Sequence, residues 1–431
     1  MHDNLKKILF FAYFFPPLGG PGVQRACKIV RYLKEKRWLI NVISVKDIVY
    51  HSYDEEMVWE CKARNVYRTS SFNLLSLIKK YHKNDINRGS KLYFKTPEKI
   101  KKIIRNSFPI DDKIGWLPFA YFQALQVSRK NKFDSVMATI GPYTSGIVGY
   151  LISKKLKIPL VIDYRDHWTL HPYLRFPTYI HKELAEFWEW KILQEAKLVT
   201  TVSKTMKKEL LLKYDNNLKD KIHVIYNGWD ENDFKHINVV EKRNKVSFHY
   251  VGNFYGNQSP KYFVKALEEL YKENSLPENV EIVFLGNYYI ETIKILQKSN
   301  INYLIKTVPQ VSHSKALEYM INSDVLLLFI SSYRGKGVLT GKVFEYIRTK
   351  KEILAMIPPE GECAEILKSH NHKYICSMED IKGIKKNFVT LNNYIRSGEI
   401  QKRKINNKFS RKHQTFKFEK ILSKMLIRDG I

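Results

Sequence analysis

The residues best suited to chemistry in this 431-residue chain are Gly341, Lys342 and Glu345, within Thr340-Gly341-Lys342-Val343-Phe344-Glu345-Tyr346-Ile347. An apolar strand-like run, Glu352–Ile357, follows at once. The glycine opens a predicted helix. Positions three apart share one helical face, so the Lys342 ammonium and the Glu345 carboxylate project the same way. The first turn of a helix leaves backbone N–H groups unpaired and partly positive, which suits a phosphate. A carboxylate only accepts hydrogen bonds, which suits a vicinal diol such as a ribose. The segment reads as a nucleotide-sugar site, and equally as a glycine-capped helix with a surface Lys/Glu pair.

Other loops carry related chemistry. Pro16-Pro17-Leu18-Gly19-Gly20-Pro21-Gly22-Val23-Gln24-Arg25 joins a strand to a helix, and Gly19 and Gly20 allow a ligand close to the backbone. It is not GxGxxG, which disfavours a nicotinamide or flavin site. Arg25 has two readings, a phosphate contact or a carbonyl cap. Asp163-Tyr164-Arg165-Asp166-His167-Trp168 places acids, a base and aromatics at a strand end, where they could orient a sugar acceptor and relay a proton. The alternative is that Asp163 caps the junction while Arg165 and Asp166 pair structurally. Tyr226-Asn227-Gly228-Trp229-Asp230 reads as a tight, mainly architectural turn. In the second half, Gly252-Asn253 through Ser259-Pro260-Lys261 repeats the strand, glycine loop and helix plan, with Ser259 as expected N-cap and Pro260 at the first helical position. Asp-x-Asp, a common carboxylate pair for a metal-bridged diphosphate, is absent from the chain, so no metal or other cofactor is expected.

These loops need elements to hold them. Strand-like runs at Lys7–Phe14, Leu39–Val45, Ser135–Ile140, Leu160–Tyr164, Leu198–Val202 and His223–Tyr226 alternate with helical patterns, the first at Val23, Ala26, Cys27, Val30 and Leu33. A second set follows at Val246–Val251, Val280–Leu285, Leu304–Val308, Asp324–Ile330 and Glu352–Ile357. Unbroken apolar strands between helices predict parallel sheets covered on both faces. The expected architecture is α/β, two Rossmann-like doubly wound domains across a cleft. The first spans 1–232 with a basic insertion over about 74–113, the second 246–403, and a basic C-terminal helix 404–431, expected to cross back onto the first domain.

Composition narrows the class. The 44% apolar and 13% aromatic content excludes a disordered or fibrous chain, and the length favours two domains. A net charge of +30 predicts attraction to a polyanion. Ten lysines and arginines stand against two acids between Lys79 and Arg105, interleaved with apolar residues. The stretch reads as an anchor on an anionic membrane surface, and alternatively as a solvated helix pair. The four cysteines have no metal-ligand spacing and read as free buried thiols of a reducing compartment. No apolar run approaches the ~20 residues that span a bilayer. The apolar start lacks a cleavage signal and is expected to be a first strand, in a cytoplasmic protein peripheral to the membrane.

Taken in order, these segments resemble the retaining glycosyltransferase family 4 of the GT-B fold. Pro16 to Arg25 resembles its PP-x-x-GG-x-x-x-R opening with one residue's difference in spacing. Asp163–Trp168 resembles D-x-R-D-x-W, Val224–Asp230 V-I-x-N-G-x-D, Tyr250–Gly256 Y-x-G-x-F-Y-G, and Gly341–Tyr346 G-K-x-F-E-Y. The resemblance implies transfer of a hexose from a nucleotide diphosphate-sugar to a glycan or lipid-linked acceptor, in bacterial surface polysaccharide synthesis. It implies donor contacts at Gly19, Gly20, Asn253, Lys261, Gly341, Lys342 and Glu345. Lys342 would neutralise the diphosphate and Glu345 would hold the ribose. Asp166 and His167 would lie at the reacting sugar, with Arg165 and Trp168 on the acceptor side.

Two positions depart from that pattern. Gly337 stands where the family has an acid eight residues before Glu345, and Gln258 stands where it usually has an arginine. Both bear on diphosphate handling and sugar identity. They also keep a catalytically lapsed GT-B protein in view, as the charge keeps a nucleic-acid-binding one. Against the latter, no basic stretch outside the insertion is interleaved with aromatics and no binding module is evident, so no nucleic-acid partner is expected.

Overall fold

The computed structural model describes residues 5–428, apart from 47, 49, 51, 73–102, 172–175, 236, 240–243, 255–257, 334–336 and 399–402. Most of the basic stretch proposed as a membrane anchor therefore lies outside the described residues. The chain divides into two compact units, residues 1–227 with 411–431, and residues 228–410.

The first unit is built on a seven-stranded sheet: β1 (Lys7–Phe11), β2 (Leu39–Val45), β3 (Asn65–Thr69), β4 (Ser135–Ile140), β5 (Leu160–Tyr164), β6 (Leu198–Thr201) and β7 (Ile222–Val224). Their spatial order is β3-β2-β1-β4-β5-β6-β7, with every pairing parallel. The helices between them are α1 (Pro21–Glu35), α2 (Glu56–Cys61), α3 (Leu117–Lys130), α4 (Thr144–Leu156), α5 (Tyr179–Glu195) and α6 (Lys204–Tyr214). The unbroken apolar strands predicted burial on both faces, and Ser135–Ile140 and Leu160–Tyr164 are buried at every position. Helix α1 starts with Pro21 in its first turn, where a missing N–H costs nothing. Val23, Ala26, Cys27, Val30 and Leu33 form the stripe it buries. Burial of side chains this size contributes roughly 1.5–3 kcal/mol each.

The second unit carries β8 (Val246–Val251), β9 (Val280–Leu285), β10 (Ile305–Val308), β11 (Val325–Phe329), β12 (Glu352–Met356) and β13 (Ile375–Cys376). Their order is β10-β9-β8-β11-β12-β13, again all parallel. Its helices are α7 (Lys261–Lys272), α8 (Ile290–Gln297), α9 (His313–Ile321), α10 (Lys342–Thr349), α11 (Glu362–Lys368) and α12 (Ile381–Ser397).

The last helix, α13 (Arg411–Arg428), returns to the first unit, as expected. Phe418, Leu422 and Leu426, four residues apart, enter the first unit's core. Trp38 donates from Nε1 to Glu419 at 3.2 Å, and the Tyr226 N–H donates to Gln414 Oε1 at 2.9 Å.

Two strands had no clear sequence signal. β3 is a half-exposed edge strand and lacks an apolar run, and β13 is two residues long. All four cysteines are free and buried. Among the described residues no helix is long and apolar enough to cross a membrane.

Candidate active site

In a doubly wound sheet the crevice lies where the strand order turns, beyond the carboxyl ends of the two flanking strands. In the second unit those strands are β8 and β11. The loop after β8 is Gly252-Asn253, and the segment after β11 leads into α10, which begins at Lys342.

Lys342 reaches the β8 loop. Its ammonium lies 4.5 Å from the centre of the Tyr250 ring and donates to Tyr250 Oη at 3.0 Å and to the Asn253 carbonyl at 3.4 Å. Gly252 makes room for it. The residue adopts φ +128°, and a Cβ there would stand 2.3 Å from both Cε and Nζ of Lys342. Burial disfavours the ammonium and pulls the Lys342 pKa down to about 7, against the opposing pull of the Glu345 carboxylate.

Glu345, on the first turn of α10, is half-buried and contacts His313 Nε2 at 3.0 Å. His313 opens α9, where Ser312 caps the helix by accepting from the Lys315 N–H. The next residue along α10, Tyr346, is buried, and its hydroxyl accepts from the Val251 N–H at 3.2 Å. That bond ties the start of α10 to the end of β8 and fixes where Lys342 and Glu345 stand. At Gly341 a Cβ would meet nothing within 4 Å, so glycine there leaves open space above the helix start rather than relieving strain. Asn253 uses its side-chain oxygen to accept from the Asn287 N–H at 2.8 Å, joining the loops after β8 and β9. Lys261 is exposed, with its ammonium 5.7 Å from the Tyr262 ring, and no hydrogen bond or ion pair joins it to Lys342 or Glu345 among the described residues. Pro260, not Ser259, holds the N-cap position of α7, and Ser259 Oγ accepts from the Lys261 N–H at 3.2 Å.

In the first unit the strand order turns between β1 and β4. Gly20, with φ +100°, begins α1, and the amide of Gly19 is already engaged with the Ser52 carbonyl at 2.9 Å. Arg25 is not a phosphate ligand here. It is buried and grips Asp163, with Nη2 at 2.7 Å from Oδ1, and also reaches the Tyr226 carbonyl and Asn227 Oδ1. Asp163 accepts further bonds from Thr139 and Thr200. Burial pushes its carboxyl upward, but the Arg25 guanidinium and the hydroxyl donors outweigh that and hold it below the usual range. This ion pair couples β5 to α1 and to the Tyr226-Asn227 turn.

The rest of the 163–168 segment splits into buried and open members. Arg165 donates from Nε to the Ile140 carbonyl at 3.1 Å and from Nη2 to Gly141 O. Gly22 lies so close that a Cβ would fall 1.4 Å from Arg165 Nη1. Trp168 is fully buried and stacks on Tyr143 at 4.6 Å with the rings 2° from parallel, so its ring holds the loop rather than facing solvent. Asp166, with its side chain 55% exposed, lies 3.9 Å from Arg165 Nε, the structural pairing that the sequence also allowed. His167 contacts Glu209 on α6 through Nε2 at 2.7 Å. A carboxylate only accepts, so it selects the tautomer with hydrogen on Nε2. The buried Nδ1 has no hydrogen-bond partner among the described residues.

Glu209, His313, Tyr346 and the Tyr250 contact were not singled out from the sequence. Only His313 had a local signal, a capping serine followed by a titratable side chain at a helix start.

Residues 86–233 match the family model described as Glycosyltransferase Family 4. Among solved structures, a glycosyltransferase from Rickettsia africae ESF-5 aligns over 98% of this chain and 99% of its own, with TM-score 0.61 and 15% identity. The fold is GT-B. Two further GT-B likenesses are nucleotide-sugar epimerases. The UDP-GlcNAc 2-epimerase from Neisseria meningitidis, solved with UDP-GlcNAc, has TM-score 0.55 and 14% identity over 97% of this chain and 100% of its own. A putative UDP-N-acetylglucosamine 2-epimerase from Listeria monocytogenes has TM-score 0.54 and 10% identity over 96% and 94%. A search of curated protein sequences finds no match. The chain is thus a GT-B-fold protein, with residues 86–233 similar to Glycosyltransferase Family 4.

Proposed function

We propose that this chain is a retaining glycosyltransferase that moves a hexose from a nucleotide diphosphate-sugar to a hydroxyl of a glycan or lipid-linked acceptor. The observation that carries the reading is the pairing of Lys342 with the β8 loop beside Glu345, at the turn of strand order in the second sheet. Lys342 and the positive end of the α10 dipole neutralise the departing diphosphate as the anomeric carbon–oxygen bond breaks. Glu345, oriented by His313, accepts from the ribose hydroxyls. Asn253, Lys261 and Gly341 are the further donor residues assigned in the second unit. No side-chain nucleophile is assigned. The acceptor oxygen attacks on the face the diphosphate leaves, and its proton passes to the departing phosphate oxygen. Asp166 and His167 stand on the acceptor side, with Arg165 and Trp168 shaping the loop that carries them.

The net charge of +30 supports a setting at an anionic membrane face, in surface-polysaccharide synthesis. Liposome flotation with and without anionic lipid tests that setting. The donor site is tested by nucleotide release from UDP-, GDP- and ADP-sugars with membrane extract as acceptor source, and by calorimetric binding of the active nucleotide. Glu345→Ala is expected to weaken donor binding about tenfold or more, the loss of a charge-assisted hydrogen bond. Unchanged donor binding would sink the assignment.

A further inference from the structure

Glu189 on α5 is a carboxylate with 1% exposure, and such residues are buried only when something holds them. Its partners are the two ends of the loop that carries Asp166 and His167. Before the loop, the Tyr164 hydroxyl donates to Glu189 Oε1. After it, Thr169 donates through its N–H to Oε1 at 3.4 Å and through its hydroxyl to Oε2. From α6 the Tyr214 hydroxyl donates to Oε2, and the Lys213 ammonium stands 3.9 Å away. The chain of bonds continues inward, since the Trp168 N–H donates to the Tyr164 hydroxyl at 3.0 Å.

We propose that Glu189 is a positioning residue, whose ionised carboxylate clamps both ends of the 164–169 loop and so sets the arrangement of Asp166 and His167. The catalytic consequence rests on the reading of that loop as part of the active site; the clamp itself does not. An ionised carboxylate accepts from all three hydroxyls at once. Protonation turns one oxygen into a donor, so at least one of the hydroxyls must turn round or let go. Burial favours the neutral form and raises the Glu189 pKa to about 7, opposed by the Tyr214 hydroxyl, Lys213 and the Thr169 N–H. The titratable groups facing it are Tyr164 from β5, Lys213 and Tyr214 from α6 and Tyr143 at the N-cap of α4. Glu186 of α5 bears on it through Lys213. The clamp is therefore closed above neutrality and loosened below it.

The test uses the full chain labelled with 5-fluorotryptophan, the Trp168 resonance being assigned by its loss in Trp168→Phe. The wild-type resonance is expected to move with a midpoint near pH 7, and in Glu189→Gln to stay fixed over the same range. In turnover, Glu189→Gln is expected to lower kcat about tenfold at pH 8, leave KM for the donor unchanged and remove the acidic limb of the kcat profile. If Glu189→Gln does not fold, Tyr214→Phe keeps the carboxylate and removes one bond to its charged form, which is expected to move the midpoint upward. A Trp168 resonance that ignores pH between 6 and 8 in the wild type, or titrates identically in Glu189→Gln, overturns the clamp. A titrating Trp168 combined with a fully active Asp166→Asn enzyme removes the catalytic reading of the loop and leaves the clamp standing.

Discussion

Donor binding is expected to take up a proton at Lys342. With a pKa of about 7 in the free protein, the side chain is about half charged at pH 7 and about one-tenth charged at pH 8. A diphosphate bound against it favours the ammonium and raises the bound-state pKa well above 8, because an adjacent opposite charge stabilises the charged form. Net uptake on binding is then about 0.5 proton at pH 7 and about 0.9 at pH 8. Binding must weaken as pH rises, since protonation has to precede or accompany it. The apparent Kd is expected to increase about fivefold between pH 7 and pH 8, or about 1 kcal/mol. Below pH 6 the dependence flattens, because the free lysine is already charged.

The diphosphate of an intact nucleotide-sugar does not titrate near neutrality, so the donor itself is the ligand to use. Calorimetry in two buffers of different ionisation heat gives the proton count directly. Lys342→Met serves as the control, because it removes the side chain to which the uptake is assigned. The expected outcome is a large uptake at pH 8 in the wild type and its loss in Lys342→Met. No uptake at pH 8, or an identical pH dependence in the variant, refutes the account of Lys342 as the group that meets the diphosphate.

Gly252→Ala places a Cβ against the Lys342 head group at a backbone angle of φ +128°. It is expected to cost about 1–3 kcal/mol in urea unfolding and to weaken donor binding by displacing the ammonium from Tyr250, and wild-type values for both would contradict the packing described. Asp163→Asn strands the Arg25 charge in the first core, with an expected loss of about 3–5 kcal/mol measured the same way. The sign of its pH dependence follows from a folded-state pKa below the unfolded one. The carboxylate's contribution is complete above the unfolded value of about 4 and is lost as pH falls through the folded value, so the gap to the Asp163→Asn variant closes only in acid.

The frame of this protein was legible because parallel strands buried on both faces must be apolar throughout. Ser135–Ile140 and Leu160–Tyr164 could be bounded from composition alone for that reason. Where burial is partial the signal fades. β3 alternates without an apolar face, and its Thr69 is its one fully buried position. The site was legible in its residues and not in its contacts. Arg25 shows why: a cation on the first turns after a glycine loop suits either a phosphate or a carbonyl. Only the placement of β5 beside β4 brings Asp163 within 2.7 Å, an acid that the local sequence did not announce. Glu209 and Glu189 belong to helices distant in sequence from the loop they hold, so no spacing rule could have found them.

The same reasoning bears on the two readings of Gly341–Glu345. A surface Lys/Glu pair three residues apart stabilises its own helix, each side chain satisfying the other in solvent. Here the two are half-buried and no ion pair joins them; each is held by a different element. Lys342 turns to Tyr250 and the Asn253 carbonyl on the β8 loop, and Glu345 turns to His313 at the start of α9. Removing a lysine from water to lay it on an aromatic ring costs stability, which its lowered pKa records. A solvent-facing helix pair has no reason to bear that cost. The proposed anion site would, because the ammonium is then desolvated and aimed before the ligand arrives, and a bound diphosphate would add its charge to that of Glu345.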